Sequence, residues 1–182
     1  MKSLATPRLL LRPWAEDDVD FVFDMYRRWE VARFIGLVPT VVKTRDEAIA
    51  KLARWMSFDD PVLGYWAISE PASGAPYGLV ILRPLPGCSQ GTPLPPSGEI
   101  EIGWHLHPEA WGHGYASEAA GAVLGHAFDS GLSRVLAVTH PDNVASQRVA
   151  LRIGMRHTGQ TSRFYNSTCE LFSANRASFS QN

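Results

Sequence analysis

The 182-residue chain balances 17 Lys and Arg against 18 Asp and Glu, and its net charge of −1 gives no support to nucleic-acid or anionic-membrane binding. A composition of 45% hydrophobic and 19% charged residues excludes a disordered chain and fits one globular domain over residues 1–182. No apolar run reaches the ~20 residues of a membrane span or forms a signal-peptide core, and Cys88 and Cys169 are too few for a disulfide framework. We therefore expect a reduced, cytoplasmic protein.

The N-terminal part of the chain predicts a strand, two helices and a hairpin. Residues 8–12 form a short strand. A helix then begins at Asp17 or Asp18, because apolar residues recur at i, i+3, i+4 and i+7, namely Val19, Val22, Phe23 and Tyr26. A second helix opens with the capping box 44–47, and its apolar stripe is Ile49, Leu52, Ala53 and Met56. Strands at 65–69 and 77–83 follow, with no helix between them.

The segment 84–98 carries five prolines and three glycines, which disfavour both a helix and a strand ladder. We expect a long loop between two strands. A loop of this length serves either as a functional lid or as a mobile connection, and the sequence leaves both open.

The strand at 99–107 shows the clearest alternation in the chain. Its apolar face carries Ile100, Ile102, Trp104 and Leu106, and its second face carries Glu99, Glu101, Gly103, His105 and His107. Two carboxylates and two imidazoles on one face indicate either a solvated surface or the wall of a polar cleft.

The C-terminal part predicts two more helices and three strands. A helix runs to Ser130 with an apolar stripe, and Gly131 is placed to end it. A strand at 134–139, a helix at 143–153 and two strands at 156–163 and 168–173 complete the chain. Hairpins at both ends of a mixed order favour an α+β or α/β sheet over a doubly wound nucleotide-binding fold.

A glycine-rich turn links the strand at 99–107 to the next helix. Gly112 and Gly114 lie where that helix begins, and the first N–H groups of a helix lack internal partners. Such a corner suits a diphosphate. A Walker loop is a poor match because no lysine follows either glycine, and a GxGxxG motif would need glycine where the chain has Ser117. A ligand-free, glycine-flexed corner is the remaining alternative.

Three blocks in the expected order resemble one protein family. The segment 102–106 followed by 111–119 resembles the signature of the GNAT superfamily of N-acetyltransferases, and 143–155 and 6–12 resemble two blocks of its RimJ/RimL-like branch, which acetylates ribosomal-protein N-termini. The resemblance implies an α+β (α/β) GNAT fold. Its mostly antiparallel, mixed sheet has six to seven strands and about four flanking helices, and is splayed between strands four and five.

The resemblance also implies acetyl-CoA as co-substrate. Backbone amides at 112–117 would hold the diphosphate, groups around Leu106 and His107 would pair with the pantetheine arm, and Asn143 and Ser146 would lie near the thioester. The implied cofactor-binding set is Leu106, His107, Trp111, Gly112, His113, Gly114, Tyr115, Ala116, Ser117, Asn143 and Ser146.

Two positions depart from the family pattern. Glu109 stands where the superfamily often has Gln or Arg before the first glycine, and we expect its carboxylate to point away from the diphosphate. Ala150 replaces the tyrosine that often protonates the departing thiolate. The resemblance suggests Ser146 as a substitute acid, although a serine there can also cap the helix or bind the cofactor.

Acetyl transfer needs a neutral amine. An α-amine with a pKa of about 7.7–8.0 is ~10–20% neutral at pH 7, whereas a lysine is far below 1%. We expect Glu101 to act as the base, with Glu99 and His105 as rivals, and a backbone N–H near Leu106 to meet the oxyanion. The spacing of His105, His107 and His113 permits a zinc site, but the family blocks explain this region without metal.

The expected function is therefore acetyl transfer to the N-terminal α-amine of a protein or peptide, by a monomer or homodimer. A small-amine acetyltransferase and a non-catalytic acetyl-CoA-binding module are the alternatives. The acceptor cleft would be walled by the loop 84–98 and by the first two helices, near Phe21, Trp29, Phe34, Trp55 and Phe58.

Overall fold

One mixed sheet organises the molecule. In the computed structural model, residues 2–91 and 93–179 are described (Ser178 by its backbone alone), and they form a sheet of eight strands in the order β1-β2-β3-β4-β5-β6-β8-β7. The strands are β1 (Leu4–Ala5), β2 (Leu10–Arg12), β3 (Gly64–Ser69), β4 (Pro76–Pro86), β5 (Pro96–Leu106), β6 (Arg134–Thr139), β7 (Arg156–Phe164) and β8 (Ser167–Asn175). Neighbouring strands run antiparallel except β5 and β6, which run parallel.

Helices cover both faces of this sheet. They are α1 (Val19–Tyr26), α2 (Trp29–Ala32), α3 (Arg45–Met56), α4 (Tyr115–Asp129), α5 (Val144–Arg152) and α6 (Arg176–Phe179). The period-two alternation of strand side chains explains the two layers. On β3, Trp66 and Ile68 join the core under α4, whereas Tyr65 and Ala67 join the core under α1 and α3.

The predicted fold class is confirmed, with two differences in its elements. The sheet of the described residues has one strand more than the six to seven predicted, because residues 4 and 5 pair with β2 as a two-residue edge strand. Beside the four longer helices, α2 and α6 each have four residues. Elements this short leave no periodic pattern in a sequence, so the apolar spacing could not show them.

Of the predicted apolar stripe of α3, Leu52 is buried, whereas Ile49, Ala53 and Met56 are exposed. Ile49 and Met56 are 43% and 44% exposed, and the buried residues are Ala48, Leu52 and Trp55. The centroid of the Trp55 ring lies 5.0 Å from that of Trp14, and the Trp55 ring stacks on the Tyr65 ring. Because tryptophan offers the largest apolar area, its burial sets the rotation of the helix. The capping box at its start is present in part: Thr44 accepts from the Glu47 N–H.

The loop predicted at 84–98 is shorter than expected, because the strands extend into it from both sides. Pro84 pairs with Ile100, Pro86 pairs with Pro96, and only 87–95 connect β4 to β5. A proline cannot donate to a ladder, but Gly64, the first residue of β3, pairs with Leu82 and no residue of β3 lies opposite Pro84. Pro84 therefore needs no donor on that side.

Candidate active site

A gap opens in the sheet between β5 and β6. Among the described residues, the two strands pair at one position, Glu101 with Leu136. The His107 N–H donates to the Tyr77 oxygen at 2.9 Å, which places the odd-numbered residues of β5 in hydrogen bonds with β4. The backbone groups of Trp104 and Leu106 therefore face the gap. If the unpredicted β1 is left out of the count, β5 and β6 are the fourth and fifth strands, and the gap lies where the splay was predicted.

The glycine-rich turn lies at the end of this gap. Gly112 and Gly114 have φ of 80° and 81°, in the left-handed region, and Gly114 is the N-cap of the 15-residue helix α4. The first hydrogen bond of the helix runs from Glu118 N to Gly114 O at 3.1 Å. The amides of residues 115–117 precede that bond, so the helix itself supplies no acceptor for them.

Ser117 adds a polar group to the first turn of α4. Its Oγ is buried and has no hydrogen-bond partner among the described residues, although the residue lines the cleft at the mouth of the gap. An unsatisfied buried hydroxyl costs free energy, so its position beside free amides indicates a place for a polar ligand. The turn is held from behind by Arg8, which donates to the His113 oxygen at 3.0 Å and pairs with Glu118 at 2.6 Å.

A single cleft of about 790 Å³ contains most of the predicted site. The predicted site residues that line it are Glu101, His105, Leu106, Trp111, Gly112, His113, Gly114, Tyr115, Ala116, Ser117, Asn143 and Ser146. His107 does not line it: its Nε2 contacts the Asp24 carboxylate at 3.0 Å, and its backbone oxygen accepts from the Ala110 N–H. Both backbone groups of His107 are therefore already bonded.

Other walls of the cleft differ from the expectation. Phe34, from the segment after α2, lines the cleft, and its ring centroid lies 5.3 Å from that of His140. The other aromatic residues expected there, Phe21, Trp29, Trp55 and Phe58, do not line the cleft. None of the described residues of 84–98 lines it, and Tyr165 and residues 167–169 do so instead. Glu109 has a side chain 89% exposed and lies outside the lining, as a carboxylate near a diphosphate should.

Glu101 is the buried carboxylate of the cleft, only 4% exposed. Its Oε1 accepts from Arg83 Nε at 2.7 Å and from the Tyr165 hydroxyl, while the described residues provide no partner for Oε2. Burial raises the pKa of this carboxyl, and the Arg83 charge opposes the rise. The middle of the second face of β5, Glu101, Gly103 and His105, thus forms a cleft wall, which favours that interpretation over a solvated surface.

The rival bases are less suited to proton transfer. Glu99 lies outside the cleft lining and is ion-paired with Arg134. His105 lines the cleft, but burial, helped by the charges of Lys51 and Arg83, lowers its pKa to about 3, so the ring is neutral at physiological pH.

Helix α5 contributes Asn143 and Ser146 to the cleft. The Asn143 side chain accepts from the Ser146 N–H at 3.2 Å, so the asparagine is the cap of α5. Ala150 is fully buried in the core that α4 and α5 share, and no phenol stands at that position.

Sequence reasoning missed Arg83 and Tyr165. Arg83 lies directly opposite Glu101 in the β4–β5 register, so the hairpin itself was a signal for it. Tyr165 lies in the turn between β7 and β8, and no periodic pattern could have assigned it to the cleft. Within 2–91 and 93–179, no group of His, Cys, Asp or Glu side chains is placed to hold a metal, and no helix is long and apolar enough to cross a membrane.

These features define a GNAT acetyltransferase. The family model for the acetyltransferase (GNAT) domain matches residues 8–156, and the chain belongs to this family. A GNAT domain uses acetyl-CoA as its acyl donor, so the chain is an acyltransferase.

Similar proteins differ in what their names say they modify. The chain is 29% identical over 158 residues to "Uncharacterized N-acetyltransferase YoaA" of Bacillus subtilis, covering 86% of this chain and 84% of that one. It is 29% identical over 156 residues to the FsC-acetyl coenzyme A-N(2)-transacetylase of Aspergillus fumigatus, covering 85% and 65%. The structure of ribosomal-protein-S5-alanine acetyltransferase from Vibrio fischeri superposes with a TM-score of 0.72 at 16% identity, covering 98% and 99%, which shows a common fold.

Proposed function

We propose that this chain acetylates the N-terminal α-amine of a protein or peptide by direct transfer from acetyl-CoA, as a monomer or homodimer in the cytoplasm. The observation that carries the proposal is that one cleft contains both the free amides of the α4 turn and the buried carboxylate of Glu101. Support for a RimJ/RimL-like acceptor comes from the three sequence blocks and from the ribosomal-protein acetyltransferase of the same fold.

The residues of the cleft fit acetyl-CoA, which supplies the acyl group as an activated thioester. The amides of 115–117 and the unsatisfied Ser117 hydroxyl would hold its diphosphate, since both are donors without internal acceptors. The gap-facing backbone of Trp104 and Leu106 would bind the pantetheine arm. Trp111 donates from Nε1 to the Leu106 oxygen at 3.0 Å, which leaves the Leu106 N–H to meet the oxyanion.

Glu101 provides the base in this proposal. Its Oε2 takes a proton from the acceptor amine as the N–C bond forms and the C–S bond breaks, and the proton then passes to the departing thiolate or to solvent. The raised pKa of a buried carboxyl improves a base that must work near neutral pH. An α-amine is already partly neutral at that pH, so the single carboxylate suffices for it more readily than for a lysine.

His105 and Ser146 take lesser roles. A neutral His105 shapes the wall of the cleft, and Ser146 contacts the cofactor from the first turn of α5 or supplies a weak acid in place of the tyrosine missing at Ala150.

The test is an acetylation screen of peptide N-termini, lysine side chains and small amines, read by mass spectrometry. Glu101→Gln should lower turnover of the accepted amine at least tenfold with little change in acetyl-CoA affinity. Glu99→Gln is the matched control, because Glu99 lies on the same strand outside the cleft. Reaction at lysine side chains alone would refute the acceptor, and equal turnover in wild type and Glu101→Gln would refute the base.

A small-molecule amine is the second candidate, favoured by the similarity to the FsC transacetylase. Preferential turnover of small amines in the same screen would support it. Acetyl-CoA binding with no turnover of any amine would instead identify a non-catalytic binding module.

A further inference from the structure

The turn between β7 and β8 places a tyrosine in an unfavourable backbone conformation. Phe164 pairs with Ser167, and the two residues between them, Tyr165 and Asn166, have φ of 57° and 52°. A two-residue hairpin loop with both φ values positive suits Asn-Gly, whereas an aromatic residue there is uncommon and costs free energy. Strained residues of this kind persist where the surrounding structure holds them, often at functional sites.

The β4–β5 connection holds this turn in place. The Tyr165 N–H donates to the Gly87 oxygen at 3.2 Å. The Asn166 side chain makes two bonds to Ser89: its Oδ1 accepts from the Ser89 N–H at 3.0 Å, and its Nδ2 donates to the Ser89 oxygen at 2.8 Å. The first part of the proline- and glycine-rich segment is therefore bonded to the β7–β8 turn. Residues 87–89, called the connector clamp below, fix the tip of the hairpin.

The strained turn carries the Tyr165 side chain to Glu101. The hydroxyl donates to Oε1 of Glu101 and accepts from Arg83 Nη2 at 2.8 Å, while Arg83 Nε donates to the same Oε1. Two donors thus occupy one carboxylate oxygen. The arrangement fixes the carboxylate plane and leaves Oε2 for another partner in the cleft.

We propose that Tyr165 is a positioning residue that holds the Glu101 carboxylate with Oε2 available to the acceptor amine, and that the connector clamp maintains the turn that presents it. The proposal rests on the proposed role of Glu101 as base. It assigns a function to the segment 87–89, which contributes no residue to the cleft, and it explains why an aromatic residue occupies a turn position that favours asparagine or glycine.

The direct test is a pH titration of Glu101 in the wild type and in Tyr165→Phe. The signal is the ¹³C NMR resonance of the labelled Glu carboxyls, and Glu101→Gln assigns the resonance of Glu101. The lost hydroxyl stabilises the ionised carboxylate, so its removal should raise the pKa of Glu101 by about one unit. The acid limb of the kcat/KM profile should move to higher pH by the same amount, with acetyl-CoA affinity unchanged. Ser162→Ala, which removes an exposed hydroxyl from the same hairpin, is the control and should shift neither.

Asn166→Gly tests the connector clamp separately. Glycine relieves the positive φ but breaks both bonds to Ser89, so the melting temperature should change little while the acid limb moves in the same direction as in Tyr165→Phe, by less. An unchanged acid limb would remove the connector from the proposal.

The outcomes separate this inference from the proposed function. An unchanged Glu101 pKa in Tyr165→Phe, with normal amine acetylation in the wild type, would overturn the positioning role alone. A shifted pKa in a protein that acetylates no amine would instead overturn the proposed function and leave the hydrogen-bond network as a structural one.

Discussion

The Tyr26 hydroxyl and Nδ1 of His105 are hydrogen-bonded at 2.8 Å, and this bond joins α1 to the cleft wall on β5. Burial lowers the pKa of His105 to about 3, and the cations that add to this effect are Lys51 and Arg83. In the unfolded chain the same ring titrates near 6.5. Between these values the unfolded state binds the extra proton, so acid destabilises the fold through this residue.

We therefore expect the free energy of unfolding to fall between pH 6.5 and 4.5 by up to about 1.4 kcal/mol per pH unit because of His105. Urea titrations at several pH values measure this slope. His105→Gln removes the titrating ring, so its slope should be smaller than that of the wild type by this amount. Equal slopes in the two proteins would show that the ring is not held neutral.

Gly114→Ala should weaken acetyl-CoA binding at least tenfold and lower stability by about 1–2 kcal/mol. Alanine is strained at a φ of 81°, and relief of that strain would displace the amides at the start of α4; the added Cβ itself makes an ordinary contact, 3.5 Å from Arg8 Nη2. Calorimetric titration and urea unfolding measure the two effects.

Gly125→Ala provides the matched control in the same helix. Nothing lies within 4 Å of a Cβ at this position, so alanine should stabilise the protein by about 0.5–1 kcal/mol and leave the affinity unchanged. Equal affinities of the two variants would contradict the proposed diphosphate site.

Trp111→Phe should reduce acetyl-CoA affinity about fivefold, the effect of one lost hydrogen bond of about 1 kcal/mol. The indole N–H fixes the Leu106 oxygen at the edge of the gap, and phenylalanine keeps the ring without the donor. Because the side chain is 46% exposed, the melting temperature should change little. Unaltered affinity would mean that the pantetheine arm does not depend on this edge.

Asp18→Asn should destabilise the protein by about 3–5 kcal/mol, because it leaves the half-buried Arg12 without its counter-ion. Arg12 donates to both oxygens of Asp18, at 2.8 and 2.7 Å, and the carboxylate side chain is 8% exposed. Asp20→Asn is the control: it breaks the exposed pair with Arg45 and should cost less than about 1 kcal/mol. Similar losses in the two variants, measured by urea unfolding, would refute the assignment.

The sequence was most informative where one periodic pattern governed a whole element. The apolar stripe of α4, predicted from Ala116 to Phe128, is buried from Ala119 onward with Ala116 half-buried, and Gly131 with a φ of 98° follows its end. The residues around Gly112 and Gly114 could be placed because a strand, a glycine pair and a helix occur in immediate succession. A motif whose residues are neighbours in the sequence can be predicted without knowledge of the rest of the fold.

Long-range partners could not be predicted in the same way. Alternation along β5 placed Glu101 on a polar face but could not show that Tyr165, 64 residues further on, would reach it. His107 has the same alternation as His105, yet it turns to Asp24 because α1 ends near it. The rotation of α3 likewise depends on which side chain, that of Trp55 or that of Ile49, finds a partner in the core.

The one-pair junction of Glu101 with Leu136 has a mechanical consequence. Strands β1–β5 and β6–β8 form two half-sheets whose backbones pair at this one position, and side chains such as Tyr165 on Glu101 and Arg134 on Glu99 join them elsewhere. A ligand lying along Trp104 and Leu106 would touch both halves at once. Occupancy of that groove would add contacts across the gap, so a bound donor should stabilise the sheet against opening between β5 and β6.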